Sequence, residues 1–196
     1  MSKGFRAIYL SHPEVDIDPA REVTDWSLSA VGLARAETLA TRLQGLCGAQ
    51  VVSSAERKAL ETAAPLAVRS GKPVITRPDM HENDRSSTGY LPREEFEQVA
   101  DQFFAWPGES MRGWETAEAA QKRVLREVDE VVRMVPEERL VFVGHGAVGT
   151  LLWCALAGKP ISRGHDQQGG GNWYRFDPEI RAVEAGWAPM EQLDAL

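Results

Sequence analysis

Short apolar runs alternate with longer stretches of helical periodicity along this chain of 196 residues. The runs have the length of buried strands, and the stretches between them place apolar side chains on one helical face. The predicted strands are 7–10, 50–53, 74–76, 140–143 and 173–176, and the predicted helices are 30–46, 56–68, 116–135 and 149–157. This alternation is typical of an α/β fold. It predicts a mainly parallel sheet flanked by helices on both faces, a three-layer sandwich.

The first two predicted helices carry local signals of their own. Ser29 is a residue type that caps helix N-termini, and Leu33, Ala36 and Leu39 follow it at helical spacing. We therefore expect these three side chains to point inward together. Pro65 falls inside the second helix, where a proline is expected to bend the helix axis.

Residues 83–115 interrupt the alternation. Glycine and proline are frequent there, and only one short stretch, at about 94–104, shows helical periodicity. Long irregular segments in a compact fold are often lids or binding loops. We expect one domain over 1–196, with 83–115 as an insertion or lid over one end of the sheet. Its aromatic residues would line a substrate pocket or form a small core of their own; they include Tyr90, Trp106 and Trp114.

The composition is that of an ordinary globular protein, with 43% hydrophobic and 26% charged residues. The net charge of −7 and the isoelectric point of about 5.2 argue against non-specific nucleic-acid binding, which needs a basic face. An acidic protein can still bind a small anion, because a local pocket can be positive. We therefore expect no nucleic-acid partner and leave a small anionic substrate open.

The cysteines and the N-terminus indicate the compartment. Cys47 and Cys154 do not form a C-x-x-C or zinc spacing, so we expect free thiols in a reducing compartment. The apolar run near the N-terminus is too short for a signal peptide or a membrane span. These features predict a cytoplasmic protein with no membrane partner.

Two of the four histidines directly follow predicted strands. His12 comes after the first strand and His145 comes after the strand 140–143. Ligands of open α/β sheets bind beyond the carboxyl ends of the strands, so the two imidazoles are predicted to share one pocket. Imidazole has an ordinary pKa of about 6.5 and can act as a neutral nucleophile near physiological pH. The simpler alternative is that each histidine only caps the end of its strand.

Another strand end opens directly into a helix at residues 53–63. Arg57 and Lys58 fall in the first helical turn, where the helix dipole disfavours cations. The backbone N–H groups of that turn favour an anion, so the two cations suggest a phosphate site. The alternative is a solvated surface pair.

These segments together resemble the histidine phosphatase superfamily, the phosphoglycerate-mutase-like proteins. That family opens with a strand ending in Arg-His-Gly-Glu, which is similar to Ser11-His12-Pro13-Glu14 here. Its Leu-Thr-x-x-Gly and Ser-Ser-x-x-x-Arg-Ala-x-x-Thr-Ala segments resemble residues 28–32 and 53–63. Its acidic residue corresponds to Glu82, and its late Ser-His-Gly is similar to residues 144–146. The order and spacing agree from about residue 6 to residue 158.

The resemblance implies a reaction scheme. His12 would attack a small phosphate monoester and form a phosphohistidine, and His145 would hold the phosphoryl oxygens. Glu82 would protonate the leaving alcohol and then activate water. The scheme uses no metal and no cofactor, because positive and hydrogen-bonding side chains surround the developing charge.

The departures from the family pattern bear on activity. Ser11 stands where the family has its first arginine and can donate a hydrogen bond to phosphate but brings no charge, and Lys58 stands at the second arginine. Lysine cannot grip phosphate through two parallel hydrogen bonds as arginine does. Arg57, or Arg85 three residues beyond Glu82, would have to supply the missing guanidinium. The alternative function is a catalytically weakened member that binds a phosphorylated ligand or a protein partner.

Two further patterns are compatible with other roles. Gly144, Gly146 and Gly149 match G-x-G-x-x-G, with Asp166 about 20 residues on, as in a dinucleotide-binding oxidoreductase. No convincing strand ends at Asp166, so we rank this function last, below a mutase. The polar loop 165–171 is expected to be solvated, although it could also reach the rim of the pocket.

Overall fold

The computed structural model describes residues 6–136 and 138–196. Residues 1–5, which enter the prediction that the N-terminus is no signal peptide, lie outside them. Within the described residues a sheet of seven strands forms, in the order β3-β2-β4-β1-β5-β6, with β7 also paired to β5. The strands are β1 Ala7–Ser11, β2 Gln50–Ser54, β3 Ile75–Arg77, β4 Leu140–Gly144, β5 Asn172–Asp177, β6 Ala182–Val183 and β7 Ala188–Pro189.

Five α-helices connect the strands of the described chain. They are α1 Ala30–Arg42, α2 Arg57–Ser70, α3 Arg93–Ala105, α4 Ala117–Met134 and α5 Gly146–Leu156. Ser29 caps α1 as predicted, since its side chain accepts a hydrogen bond from the N–H of Gly32. The prediction that Leu33 points inward is wrong: Leu33 is 40% exposed, whereas Ala36 and Leu39 are buried. Helix α1 packs through a narrower stripe than the periodicity suggested.

Alternation along the strands divides the core into two layers. On β1, Ile8 and Leu10 face a cluster that includes Leu39 of α1 and Leu66 of α2. Their neighbours Ala7 and Tyr9 face the opposite cluster, which contains the valine stripe of α4 and residues of α5. Successive strand residues point to opposite faces, so both faces of the central strands are covered. The predicted α/β sandwich with helices on both faces is confirmed.

The sheet is mixed rather than parallel throughout. Strands β3, β2, β4 and β1 are parallel neighbours, and β5 pairs antiparallel with β1. The segment 173–176 looked like a possible edge strand, but β5 lies inside the sheet because β6 and β7 pair with it. Both short strands come from the tail after Arg181, where the sequence shows no clear period. The four parallel strands all end at the same edge of the sheet.

The segment 83–115 contains α3 and a small aromatic cluster of its own. Phe103, Phe104 and Trp114 pack there with Ala117 of α4 and Leu151 of α5. Trp114 donates a hydrogen bond from its indole to Thr88 Oγ1 at 2.8 Å. The role of the segment 83–115 as an insertion or lid stays a prediction. Of the helices in the described ranges, none has the length and apolar character that crossing a bilayer would take.

Candidate active site

The carboxyl ends of β1 and β4 bring the two predicted histidines together. Ser11 is paired with Gly144 in the parallel register, and the N–H of His12 donates to the Gly144 carbonyl at 2.9 Å. His12 and His145, the next residues along the two strands, therefore lie at the same level beyond the edge of the sheet. The rings of His12 and His145 therefore meet edge to face, with centroids 5.4 Å apart and planes at 71°.

One nitrogen of the His12 ring is already engaged. Nδ1 lies 2.8 Å from the carbonyl oxygen of Pro13, which can only accept, so Nδ1 carries the proton in this contact. The other nitrogen, Nε2, is left with its lone pair. Burial lowers the pKa of His12 to about 4, with Lys58 contributing in the same direction. The ring is therefore a neutral base at physiological pH.

His145 is held from several sides in a fully buried position. Its N–H donates to the Tyr9 hydroxyl at 3.1 Å, and its ring Nε2 lies 2.9 Å from Ser54 Oγ and 3.6 Å from Glu56 Oε1. Burial lowers the pKa of His145 well below its ordinary value. Its Nδ1 is buried and has no hydrogen-bond partner among the described residues. The hydrogen-bonding capacity of that nitrogen is therefore unused within the described residues.

Glu82 reaches the same edge from the end of β3, after the short 3₁₀ turn Pro78–Met80. Its N–H donates to Glu56 Oε1 at 2.8 Å, and its carbonyl oxygen accepts from the Arg123 guanidinium at 3.3 Å. Burial raises the pKa of Glu82 to about 7, and the like charge of Glu56 adds to this effect. Near neutral pH, Glu82 therefore exists in both protonated and ionised forms.

Glu56 is the site residue that the sequence analysis missed. Its buried carboxylate forms an ion pair with Lys58 and contacts both Glu82 and His145. Burial by itself would raise the pKa of Glu56, but the Lys58 ammonium and the hydrogen bond from the Glu82 N–H lower it below its ordinary value. The available signal was its place at the end of β2, two residues before Lys58. Lys58 is thus charge-neutralised, and its Nζ also donates to the Val23 carbonyl at 2.9 Å.

The structure places the other predicted phosphate ligands in different surroundings. The Ser11 hydroxyl donates to Gln167 Oε1 at 2.6 Å. Arg57 is 50% exposed in its side chain and forms an ion pair with Glu61 at 2.8 Å, away from His12. Arg85 lies with its guanidinium carbon 4.9 Å from the centroid of the Phe96 ring. Of the two guanidiniums considered, Arg85 is the one near the histidines.

Of these residues, His12, Lys58, Glu82 and Arg85 line a cavity of about 320 Å³, whereas His145 is fully buried and is not among the lining residues. Asp166 and Gln167 line it, so the loop 165–171 reaches the pocket rather than being solvated throughout. Trp114 both lines the cavity and belongs to the aromatic cluster. Trp106 is 51% exposed, does not line the cavity and does not belong to the cluster. The lining residues at the sheet edge are His12, Lys58, Glu82, Asn83, Arg85 and Gly146.

Three of these groups have the makings of a metal site. His12, Glu82 and His145 can each offer a ligand atom, and those atoms lie within 4.8 Å of one another. Two imidazoles and a carboxylate are a donor set that suits Zn²⁺. The set is the same one that the resemblance assigns to catalysis without a metal.

Packing accounts for two of the three glycines in the G-x-G-x-x-G pattern. A Cβ on Gly144 would lie 2.2 Å from the Tyr9 hydroxyl, and one on Gly149 would lie 2.5 Å from the Tyr9 ring. Asp166 follows a 3₁₀ turn, Arg163–His165, and not a strand. The pattern therefore has a local explanation that needs no dinucleotide.

Comparison with known proteins places the chain in a family. The model of the histidine phosphatase superfamily (branch 1) matches residues 12–179. No curated protein matches the chain at a significant level.

Solved structures share the fold at low sequence identity. Mycobacterial hydrolase 1 is 24% identical, with a TM-score of 0.72, and the match covers 86% of this chain and 89% of that chain. Mycobacterial glucosyl-3-phosphoglycerate phosphatase with inorganic phosphate is 23% identical, with a TM-score of 0.73 and 93% of each chain covered. Phosphoserine phosphatase from Entamoeba histolytica is 19% identical, with a TM-score of 0.73 and coverages of 93% and 96%.

Proposed function

The chain belongs to branch 1 of the histidine phosphatase superfamily, and from that premise we propose that it hydrolyses a small phosphate monoester through His12. Nε2 of His12 attacks phosphorus while the bond from phosphorus to the ester oxygen breaks. Glu82 gives its proton to the departing alcohol. In the second step Glu82 takes a proton from water, the water oxygen bonds to phosphorus, and the bond from phosphorus to Nε2 breaks, so that inorganic phosphate leaves and His12 is restored.

The observation that carries the proposal is the pairing of a neutral imidazole with a protonated carboxyl group. Burial lowers the pKa of His12 to about 4 and raises the pKa of Glu82 to about 7. The base is thus unprotonated and the acid retains its proton over the same pH range. Two groups whose environments move their pKa values apart in this way are suited to divide nucleophilic and acid roles.

The phosphoryl oxygens need donors, and three lie close to His12. When the Ser54 hydroxyl donates its hydrogen bond to Nε2 of His145, the ring proton lies on Nδ1, which can then donate to a phosphoryl oxygen. Lys58 and Arg85 add positive charge. Buried donors aimed at developing charge contribute more than they would in water. The proposed arrangement therefore draws on one imidazole, one ammonium and one guanidinium.

A second function, binding without turnover, is favoured by the ion pair of Lys58 with Glu56. The carboxylate competes with a phosphate dianion for the same ammonium group. The Ser11 hydroxyl, which stands where the family has an arginine, is also engaged by Gln167. Loss of one preorganised donor can cost about 2.7–4 kcal/mol in transition-state stabilisation. A weakened member would bind phosphate and turn over slowly.

The test is hydrolysis of 4-nitrophenyl phosphate by the wild type and by His12→Ala, with chelator present throughout. We expect wild-type turnover and a loss of at least about a thousandfold in the variant. His165→Ala is the matched control, because His165 packs against Trp153 and is not among the cavity-lining residues. Quenching with detergent at alkaline pH during turnover should trap phosphate on the wild-type chain and not on His12→Ala, because the P–N bond of a phosphohistidine survives alkali and is lost in acid.

Three other outcomes would change the proposal. Turnover that appears only when chelator is left out would contradict metal independence. Zn²⁺ added without chelator should instead inhibit, by occupying His12, Glu82 and His145. Equal activity of His12→Ala and wild type would overturn the nucleophile. Stabilisation by inorganic phosphate without any turnover would favour the binding function.

A further inference from the structure

Beyond the reacting groups, the cavity is walled by aromatic and aliphatic side chains. The members of this aromatic wall are Trp26, Phe96, Phe103, Phe104 and Trp114. Trp26 packs against Tyr90, with ring centroids 6.1 Å apart, and Phe96 packs against Trp114 at 5.8 Å. The rings thus pack in two groups, and Trp26 of one group and Phe96 and Trp114 of the other line the same cavity as Glu82, where the leaving alcohol would be released.

Of the three lysine and arginine side chains on the cavity lining, two are already paired with carboxylates and cannot readily recognise a second anionic group on a substrate. Arg163 lines the cavity, but its guanidinium forms ion pairs with both Glu97 and Asp101. Lys58 is paired with Glu56. Asp166, an acid on the lining without an ion-pair partner among the described residues, would repel a carboxylate or a second phosphate.

Arg85 lies between the reacting groups and two rings of the aromatic wall. Its guanidinium carbon lies 4.9 Å from the Phe96 ring and 5.9 Å from the Trp26 ring, so the two rings hold it in a fixed place. Burial lowers the pKa of Arg85, while the carboxylates of Glu82 and Glu56 act in the opposite direction. The charge of Arg85 thus lies near the reacting groups and not at the far end of the wall.

We propose that the natural substrate is a phosphate monoester of an uncharged, apolar alcohol, of which an arylmethyl alcohol is the simplest example. The inference rests on the proposed phosphatase function and adds the chemical class of the leaving group. The phosphoryl group accepts hydrogen bonds from the donors around His12, and the alcohol lies against the aromatic wall. Burying an apolar group there removes both surfaces from water.

The direct test compares benzyl phosphate with 4-carboxybenzyl phosphate. The methylene group insulates the ester oxygen, so the two leaving alcohols have similar reactivity and differ mainly by one distant carboxylate. We expect kcat/KM for benzyl phosphate to be higher by at least about tenfold. Equal values, or a preference for the carboxylate, would overturn the inference.

Two sets of variants locate the preference. Phe96→Ala should reduce the ratio of the two kcat/KM values, because it removes apolar surface from the wall. Glu97→Gln combined with Asp101→Asn should also reduce it, by freeing Arg163 to accept the carboxylate. Glu94→Gln is the matched control, since Glu94 is an exposed acid of the same helix that does not line the cavity. A ratio unchanged in both variant sets would contradict the assignment to this wall.

A binding measurement separates failure of this inference from failure of the proposed function. Benzylphosphonate and 4-carboxybenzylphosphonate have no ester bond, and calorimetry gives their affinities without turnover. If no ester is hydrolysed, the phosphatase proposal fails, and tighter binding of benzylphosphonate still supports the apolar ligand class. Tighter binding of the carboxylate overturns that class whether or not the esters react.

Discussion

The two ends of the cavity are built by different means. At one end, which we call the reaction end, His12, His145 and Glu82 follow parallel strands, and each is held by backbone or buried polar contacts. At the other end the aromatic wall comes from loops and from α3, and ring packing holds it. Charge and hydrogen bonding define the first region, and shape and apolar surface define the second. This division lets one part of the cavity hold the phosphoryl group while another selects the alcohol.

The largest effect should come from Glu82→Gln at the reaction end. An amide cannot protonate the leaving oxygen, so hydrolysis of benzyl phosphate should fall by about 10²–10⁴-fold. 4-Nitrophenyl phosphate should lose less, because its leaving group departs readily without a proton. Steady-state kcat on both substrates makes the comparison, with Glu94→Gln, an exposed acid that does not line the cavity, as the control. Equal losses on the two substrates would contradict the acid role.

The buried ion pair should dominate the stability of the reaction end. Lys58→Met leaves the carboxylate of Glu56 buried without its partner, which typically costs about 3–5 kcal/mol in the free energy of unfolding. Adding Glu56→Gln removes that charge and should recover most of the loss. Urea unfolding of the wild type, both single variants and the double variant gives the coupling energy. Additive effects would show that the two side chains do not interact.

A smaller effect concerns pH. Because the pKa of Glu82 is raised to about 7, the acid keeps its proton below that pH, and kcat for benzyl phosphate should fall as pH rises through it. Glu56→Gln removes a negative charge that helps to raise this pKa and leaves the Lys58 charge uncompensated. Both changes lower the pKa of Glu82, so the alkaline limb should move to lower pH. Ionisation of the substrate affects the wild type and Glu56→Gln equally, so it does not move one profile relative to the other. An alkaline limb at the same pH in both enzymes would contradict the coupling between Glu56 and Glu82.

The smallest effect should come from a conservative change in the aromatic wall. Trp114→Phe keeps a ring and loses the hydrogen bond from the indole to Thr88, which is worth about 1 kcal/mol of stability. We expect kcat for 4-nitrophenyl phosphate to remain that of the wild type, because the reaction end is untouched. Thermal unfolding and a single rate measurement check the two parts. A large loss of kcat would show that the two regions are not independent.

Much of the reaction end could be predicted from local sequence. His12 and His145 stand directly after apolar runs, and the parallel register brings such strand ends to one edge. Glu82 follows in the family order. The break in periodicity at 83–115 also marks the segment that supplies α3. For its aromatic residues the sequence allows two alternatives, the lining of a substrate pocket or a small core of their own.

The partners of the charged residues could not be predicted. Arg57 and Lys58 are neighbours in sequence, yet Arg57 pairs with exposed Glu61 and Lys58 with buried Glu56. The first helical turn sends adjacent side chains in directions about 100° apart, so one faces water and the other faces the cavity. Arg85 likewise reaches Phe96 only because the chain folds back over the sheet.

Hydrophobic periodicity and residue order alone determined the α/β sandwich, the strand ends that carry the histidines and the family resemblance. These features depend on local spacing, which the chain carries wherever it folds. Tertiary structure decided which cations remain unpaired, how far burial moves the pKa values of His12 and Glu82, and which rings face the leaving group. Those properties depend on groups distant in sequence that share a low-dielectric interior, and only the packing of the folded chain brings them within reach of one another.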